Sequence, residues 1–187
     1  AAASGVHIVT NTGVYAAARD RYVPEHAFRE SAEQLAARWI AEWTDGIEGT
    51  GIRPGFVKTA VDGGPLSDVD RKLVRAGVLT HRATGLTLQT HLGDNAAVAA
   101  EILGMLAAEG VAADAWVWVH AHAVAAVDSL RPATEAGAWI SLDGLGPRTA
   151  PRILEILSAL RSWGRLDRAL LSHDGEVMDR GGGSRQM

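Results

Sequence analysis

Strand-like and helix-like segments alternate along this chain, and the alternation is the feature that most restricts its fold. Short runs rich in β-branched and aromatic residues predict six strands, at residues 6–12, 56–61, 86–91, 116–120, 139–143 and 169–174. Helical patterns lie between them, at residues 31–47, 67–84, 95–109, 123–136 and 151–163. This β-α-β-α order predicts a parallel sheet covered by helices.

Two architectures have this order: an open doubly wound sheet and part of a (β/α)8 barrel. A doubly wound nucleotide-binding domain needs a glycine-rich loop between its first strand and helix. The crowded glycines at residues 46–51 instead follow a helix. The pattern therefore disfavours a cofactor-binding α/β domain.

The placement of four polar residues favours the barrel. Lys58, His91, His120 and Asp174 fall late in, or at the carboxyl end of, four different strands. In a barrel, these ends form the active-site face. Period-two alternation predicts that each shares a face with the residue two positions earlier, so that His120 lies on the face of Trp118.

Lys58 lies in the apolar run Gly55–Val61, and it is one of only two lysines, against sixteen arginines. Burial of a lysine favours its neutral amine, which serves as a base or nucleophile, or reacts with carbon dioxide to give an anionic carbamate. The ordinary alternatives are a side chain that reaches solvent from the strand end, or one paired with an acid.

Composition excludes several functions. A net charge of −4 gives no electrostatic basis for binding nucleic acid or an anionic membrane. The chain has no cysteine, so a metal site must use histidine, carboxylate or modified lysine. The amino terminus lacks signal-peptide features, and no apolar run is long enough to span a membrane, so we expect a cytoplasmic protein.

Two imidazoles, a carboxylate and a carbamylated lysine suit one or two divalent ions, most readily Zn²⁺, with Mn²⁺, Co²⁺ or Fe²⁺ as alternatives. Taken singly, each residue has another explanation. His91 fits a core histidine, and Asp174 fits a loop cap or the partner of an arginine. His122 lies two residues beyond His120 and is the second choice for its role.

Several motifs resemble the phosphotriesterase family of metal-dependent hydrolases, which includes phosphotriesterase-like lactonases and belongs to the amidohydrolase-type barrels. The most specific is Gly-Thr-Gly-Ile-Arg-Pro-Gly-Phe-Val-Lys at residues 49–58. The similarity continues through the segments at residues 7–13, 81–91, 118–121, 137–144 and 170–174. It covers nearly the whole chain.

The resemblance implies a role for each candidate. Lys58 is then a carbamylated bridging ligand, and His91 and His120 complete the more exposed metal site. Asp174 binds the other metal and acts as the catalytic base on a bridging hydroxide. Tyr15 lines the substrate pocket, with His173 and Asp143 as supporting hydrogen-bond partners.

The sequence also departs from the family pattern. Family members have a His-x-His pair at the end of their first strand, but here only the isolated His7 and His26 precede Lys58. Compared with the family barrel, the first two strand-helix units and the last helix have no counterpart. We therefore expect residues 1–187 to form a single incomplete TIM-barrel-like domain of six parallel strands and five helices. It would self-associate as a homo-oligomer or rearrange into an open sandwich.

These features predict a metal-dependent hydrolase that uses metal-bound hydroxide on lactones, esters or organophosphate triesters. Its partners are small molecules. The competing hypothesis is a catalytically impaired barrel fragment that binds one metal or none and self-associates.

Overall fold

The computed structural model describes residues 4–174, 177–178 and 184–185. Its centre is a sheet of six parallel strands in chain order, as the alternation predicts. The strands are β1 (Asn11–Thr12), β2 (Phe56–Ala60), β3 (Thr87–His91), β4 (Trp116–Val119), β5 (Trp139–Leu142) and β6 (Ala169–Leu171). Residues 177–178 and 184–185 form a separate antiparallel pair.

The strand order decides between the two architectures. Every strand lies beside its predecessor in the chain, without the reversal that defines a doubly wound sheet. Successive right-handed crossovers in one direction place the helices on one side of the sheet, as in a barrel wall. The helices are α1 (Glu25–Arg29), α2 (Ala32–Asp45), α3 (Asp68–Thr84), α4 (Ala96–Ala108), α5 (Arg131–Ala136) and α6 (Ala150–Ser162).

Local chemistry sets the ends of the two longest helices. Ser31 and Gln34 exchange side-chain and backbone hydrogen bonds at the start of α2, and Ser67 and Asp70 do the same for α3. These capping boxes satisfy N–H groups that have no partner within the helix. Gly85 ends α3 in the left-handed conformation, with φ of 75°.

The two faces of the sheet have different environments. The helix-covered face holds fully buried side chains such as Val57, Leu88 and Ile140. On this face Thr90 Oγ1 lies 3.0 Å from Thr59 Oγ1 and accepts a 3.0 Å hydrogen bond from Trp116 Nε1. These buried bonds link β2, β3 and β4 and favour a single register. The opposite face, which would line a barrel, is only partly covered.

Several predicted elements are shorter in the structure. The strand predicted at 169–174 ends at Leu171, so Asp174 lies in the segment after the strand and not at its end. The predicted strand at 6–12 pairs only at Asn11 and Thr12, because Pro54 precedes its partner strand and has no N–H to donate. The predicted helix at 123–136 forms only as α5, which has Pro132 in its first turn, and two short 3-10 turns precede it. The short helix α1 was not predicted from the sequence. No helix among the described residues is both long and apolar enough to cross a membrane.

Candidate active site at the carboxyl ends of the strands

A cavity of about 700 Å³ opens at the carboxyl ends of the strands. It contains all four predicted ligands, Lys58, His91, His120 and Asp174, together with Tyr15. Its remaining lining residues are Gln89, Val119, Ser141, Asp143, Ser172 and His173. The structure therefore brings together residues that are up to 159 positions apart in the chain, as counted from Tyr15 to Asp174.

Lys58 enters the cavity from the middle of β2, beside Gln89 of β3. Burial lowers the pKa of its amine, although the negative charges of Asp143 and Asp174 oppose that fall. Lys58 is only partly buried, and it forms no ion pair with either acid among the described residues, so burial remains the main influence on its amine.

His91 and His120 lie next to each other, with ring centroids 4.4 Å apart and ring planes at 79°. Burial lowers the pKa of His91 to about 4, with smaller contributions from His120 and Lys58. The His91 ring is therefore neutral at pH 7, which is the form that binds metals. The Tyr15 hydroxyl lies 3.5 Å from its Nδ1.

His120 reaches the cavity by an unexpected route. Trp118 is fully buried on the helix-covered face, so the predicted shared face for Trp118 and His120 is wrong. His120 follows the last residue of β4 with φ of 63°, and this left-handed conformation breaks the period-two alternation. Such a conformation is costly for a residue with a side chain, and it persists where surrounding contacts enforce it.

Asp143 supplies those contacts. Its Oδ2 accepts hydrogen bonds from the His120 backbone N–H (3.1 Å) and from Ser141 Oγ (2.8 Å), and its Oδ1 lies 2.7 Å from His120 Nδ1. Burial alone would raise the pKa of this carboxyl, but the bonds from His120 and Ser141 outweigh it and lower the pKa to about 2. The carboxylate thus places the imidazole proton on Nδ1 and leaves Nε2 free to bind a metal.

His122, the second choice for a ligand, does not line the cavity. Its buried Nδ1 lies 3.3 Å from Asp143 Oδ1 without hydrogen-bond geometry. The other side of its ring lies against Gly144, where a side chain would collide with it. Of these two histidines, only His120 lines the cavity, and His122 lies against Gly144.

Asp174 lies in the exposed segment after β6, at the cavity edge. Its backbone N–H donates a 2.6 Å hydrogen bond to the Asp143 carbonyl oxygen, which ties this segment to β5. Burial raises the pKa of Tyr15, and the charge of Asp174 is the next largest cause. Its carboxylate therefore acts on the cavity electrostatically.

The donor groups of the cavity fit a divalent metal ion only in part. Among the described residues, no three His, Cys, Asp or Glu side chains are placed to hold one. The imidazoles of His91 and His120 are nitrogen donors of the kind that Zn²⁺ binds, and their ring centroids are 4.4 Å apart. A lysine-derived oxygen donor at Lys58 would complete an open three-ligand site, so the residues fit one divalent ion when Lys58 contributes.

Two features of the site escaped sequence reasoning. Ser141 supports Asp143 from two residues away on the same strand, a spacing that the sequence does contain. Asp62, which follows β2, accepts hydrogen bonds from the backbone N–H groups of Ala18 and Arg19, in a loop whose conformation cannot be predicted from the sequence.

Acid should destabilise the metal-free protein through His91. An unfolded histidine titrates near pH 6.5, while the folded His91 has a pKa of about 4. Between these values the unfolded chain binds more protons, so the free energy of unfolding falls as the pH drops. We expect a loss of about 2 kcal/mol between pH 7 and pH 4.5, measured by urea denaturation.

A matched pair of variants isolates this contribution. His91→Gln should lose less stability over this pH range than the wild type. His81→Gln changes a histidine outside the cavity, on α3, and should keep the wild-type loss. Equal losses in all three proteins would contradict the assignment.

The sequence is similar to a known family of proteins and to several of its members. The sequence profile of the Phosphotriesterase family matches residues 1–182. The Phosphotriesterase homology protein of Escherichia coli (strain K12) is 28% identical over 175 residues, which cover 91% of this chain and 59% of that protein. The Aryldialkylphosphatase of Saccharolobus solfataricus is 26% identical over 177 residues, or 92% of this chain and 55% of that protein.

The fold is also similar to that of a relative with a solved structure. A crystal structure of the Escherichia coli homology protein, complexed with phosphate in its active site, superposes with a TM-score of 0.83 at 28% identity. The match covers 95% of this chain and 60% of that one. This chain therefore spans less than two thirds of the length of these relatives.

Proposed function

This chain belongs to the phosphotriesterase family, and from that membership we propose that it is a metal-dependent hydrolase acting through the cavity at Lys58, His91 and His120. One observation supports the proposal above all: two adjacent imidazoles and a partly buried lysine of lowered pKa meet in one cavity at the strand ends. This combination is typical of a functional site.

His91 and His120 would bind a single divalent ion, with Lys58 as the third ligand and Asp174 in reach of a second ion. We favour Zn²⁺, with Mn²⁺, Co²⁺ or Fe²⁺ as alternatives. A bound ion would supply Lewis-acid activation of a carbonyl or phosphoryl oxygen and of water.

Lys58 would reach its ligand form by a simple reaction. Its neutral amine nitrogen attacks the carbon of carbon dioxide, an N–C bond forms and one proton is released, which leaves a carbamate. Burial favours the neutral amine that this step needs. The product has the oxygen donors of a carboxylate on the long lysine stem.

The other residues have supporting and proton-transfer roles. Asp143 orients His120 through bonds to both its backbone and its ring. Asp174, at the cavity edge, would accept the proton of the attacking water. Tyr15 lies beside His91 and would contact the substrate.

The proposed substrates are lactones, carboxyl esters and organophosphate triesters. The name of the Saccharolobus solfataricus relative indicates phosphate-ester chemistry for that protein, and the Escherichia coli relative holds phosphate in its active site. In each class, water attacks a carbonyl or phosphoryl centre and the bond to an alkoxy or aryloxy oxygen breaks, which releases an alcohol or phenol or, in a lactone, opens the ring to a hydroxy acid. The cavity, about 700 Å³, has a volume suited to small molecules of this kind.

The function is tested by metal reconstitution. Protein stripped with a chelator should bind about one Zn²⁺ and gain hydrolysis of phenyl acetate, a γ-lactone or a diethyl aryl phosphate. His91→Asn should bind less metal and lose the gain, whereas His81→Asn should retain both. Protein that takes up no Zn²⁺, Mn²⁺ or Co²⁺ and shows no turnover would overturn the proposal.

A second candidate function is supported by the open edges of the sheet. The edge strand β6 exposes Leu170 and Leu171, and the segment before β1 exposes Val6, Ile8 and Val9. A second cavity of about 360 Å³ lies among Phe56, Trp139 and Leu170. Unpaired strands with apolar side chains favour pairing with another chain. The alternative is thus a catalytically impaired assembly protein that binds one metal or none.

Self-association can be measured independently of catalysis. We expect sedimentation velocity at micromolar concentration to give dimers or larger species. Leu171→Lys should shift them toward monomer, because a charge on the edge strand opposes pairing. Leu154→Lys, on the exposed side of α6, is the matched control. A compact wild-type monomer would rule out this association.

A further inference from the structure

The loop between β1 and α1 contains a strained turn next to the cavity. Ala18, Arg19 and Asp20 have φ angles of 69°, 57° and 57°. Three successive residues with side chains in the left-handed region are rare, because the Cβ atom crowds the backbone there. Such a turn needs contacts from outside to persist.

Asp62 provides these contacts. Its Oδ1 accepts a 2.8 Å hydrogen bond from the Ala18 N–H, and its Oδ2 accepts a 2.7 Å bond from the Arg19 N–H. Asp62 follows β2, four positions after Lys58. One carboxylate therefore binds the turn to the strand that contains the lysine. Bonds from an ionised acceptor are stronger than those between neutral groups.

The turn lies between two tyrosines that contact each other, and the first of them, Tyr15, lines the cavity. Tyr15 precedes it and lies edge-on to His91, with ring centroids 5.4 Å apart. Tyr22 follows it and lies edge-on to Tyr15, with centroids 6.4 Å apart. Tyr22 is 62% exposed, so much of its ring is available for contact. We call this pair the tyrosine wall.

We propose that Asp62 is a positioning residue, which holds the tyrosine wall in place to bind an aromatic group of the substrate. The choice of an aromatic group follows from the wall itself, because rings in edge-to-face and offset contact attract further rings. The inference deepens the proposed function by naming a substrate feature, and it rests on that function for its kinetic test alone.

The two rings of the wall are the only tyrosines in the chain, which makes a direct spectroscopic test available. In protein with ¹³C-labelled tyrosine rings, NMR should show two sets of signals. We expect benzoate, used as an aromatic probe, to shift both sets more than acetate does. Asp62→Ala should abolish this difference, and Asp62→Asn, which keeps one acceptor oxygen, should retain part of it.

Kinetics provide a second readout. Asp62→Ala should raise KM for phenyl acetate about five- to tenfold with little change for methyl acetate, since an aromatic contact is lost. Asp94→Asn removes the same charge from the exposed loop after β3 and should behave as the wild type. If Asp62→Ala does not fold, Asp62→Asn and Tyr22→Ala test the same contact.

The outcomes separate this inference from the proposed function. If benzoate shifts the tyrosine signals in an Asp62-dependent way but the protein hydrolyses none of the substrates, the tyrosine wall would be supported and the proposed hydrolase function would be contradicted. Unchanged tyrosine signals and an unchanged KM ratio in the Asp62 variants would overturn the wall whether or not the protein is a hydrolase.

Discussion

Lys58→Met should lower kcat/KM for metal-dependent hydrolysis by more than about 100-fold, because loss of a supporting residue alone typically costs 10- to 100-fold and Lys58 is the proposed ligand itself. Methionine keeps most of the length and the apolar stem of lysine but cannot form a carbamate. The packing of β2 should therefore be preserved. Hydrolysis of phenyl acetate and bound zinc, measured together, should fall together.

The chain offers a matched control for this experiment. Lys72, the other lysine, lies on α3 and donates to the carbonyl oxygen of Phe28, outside the cavity. Lys72→Met should therefore retain metal and activity. Protein incubated with ¹³C-bicarbonate and zinc should show a single carbamate NMR signal that Lys58→Met removes. Full activity in Lys58→Met would contradict the assignment of this residue.

Asp143→Asn is the second change with a large expected effect. The asparagine side chain has one acceptor oxygen in place of two. Its NH₂ group therefore faces either the His120 ring N–H or the donors at the other oxygen position, which are the His120 backbone N–H and Ser141 Oγ. We expect kcat/KM to fall about 10- to 100-fold as His120 loses its fixed tautomer and orientation. The free energy of unfolding should fall by about 1 to 3 kcal/mol, because buried donors lose their acceptor.

Ser141→Ala separates these contributions. It removes one hydrogen bond to Asp143 but leaves both bonds to His120, so its effect on kcat/KM should be much smaller than that of Asp143→Asn. Urea denaturation and steady-state kinetics measure the two quantities. Activity of Asp143→Asn within about twofold of the wild type would show that His120 does not depend on this carboxylate.

Much of the fold can be predicted from local signals. The strands have β-branched and aromatic runs, and Ser31 and Ser67 begin helices by side-chain chemistry within three residues. The short range of these interactions is why they can be read directly. The helix predicted from 123 failed because Pro132 favours a first helical turn, so that the helix begins late.

The sequence predicts that the site residues meet at the strand ends, but it does not predict the backbone geometry that brings them there. The strand ends correctly bring Lys58, His91 and His120 to one cavity. Alternation could not reveal how His120 gets there, since its left-handed backbone depends on Asp143, 23 residues later. The hydrogen bonds from Asp62 to the turn at residues 18–20 are also long-range, so no local sequence pattern predicts them.

The hydrogen bonds among Thr59, Thr90 and Trp116 have a consequence for engineering. They align β2, β3 and β4 from the face opposite the cavity. Slippage by one residue would turn Lys58 and His91 toward the helices. Because the alignment is encoded away from the ligands, the donor atoms can be exchanged without redesign of the backbone. Gln89, paired with Lys58 on the cavity face, is the position where a new metal-binding side chain could be installed first.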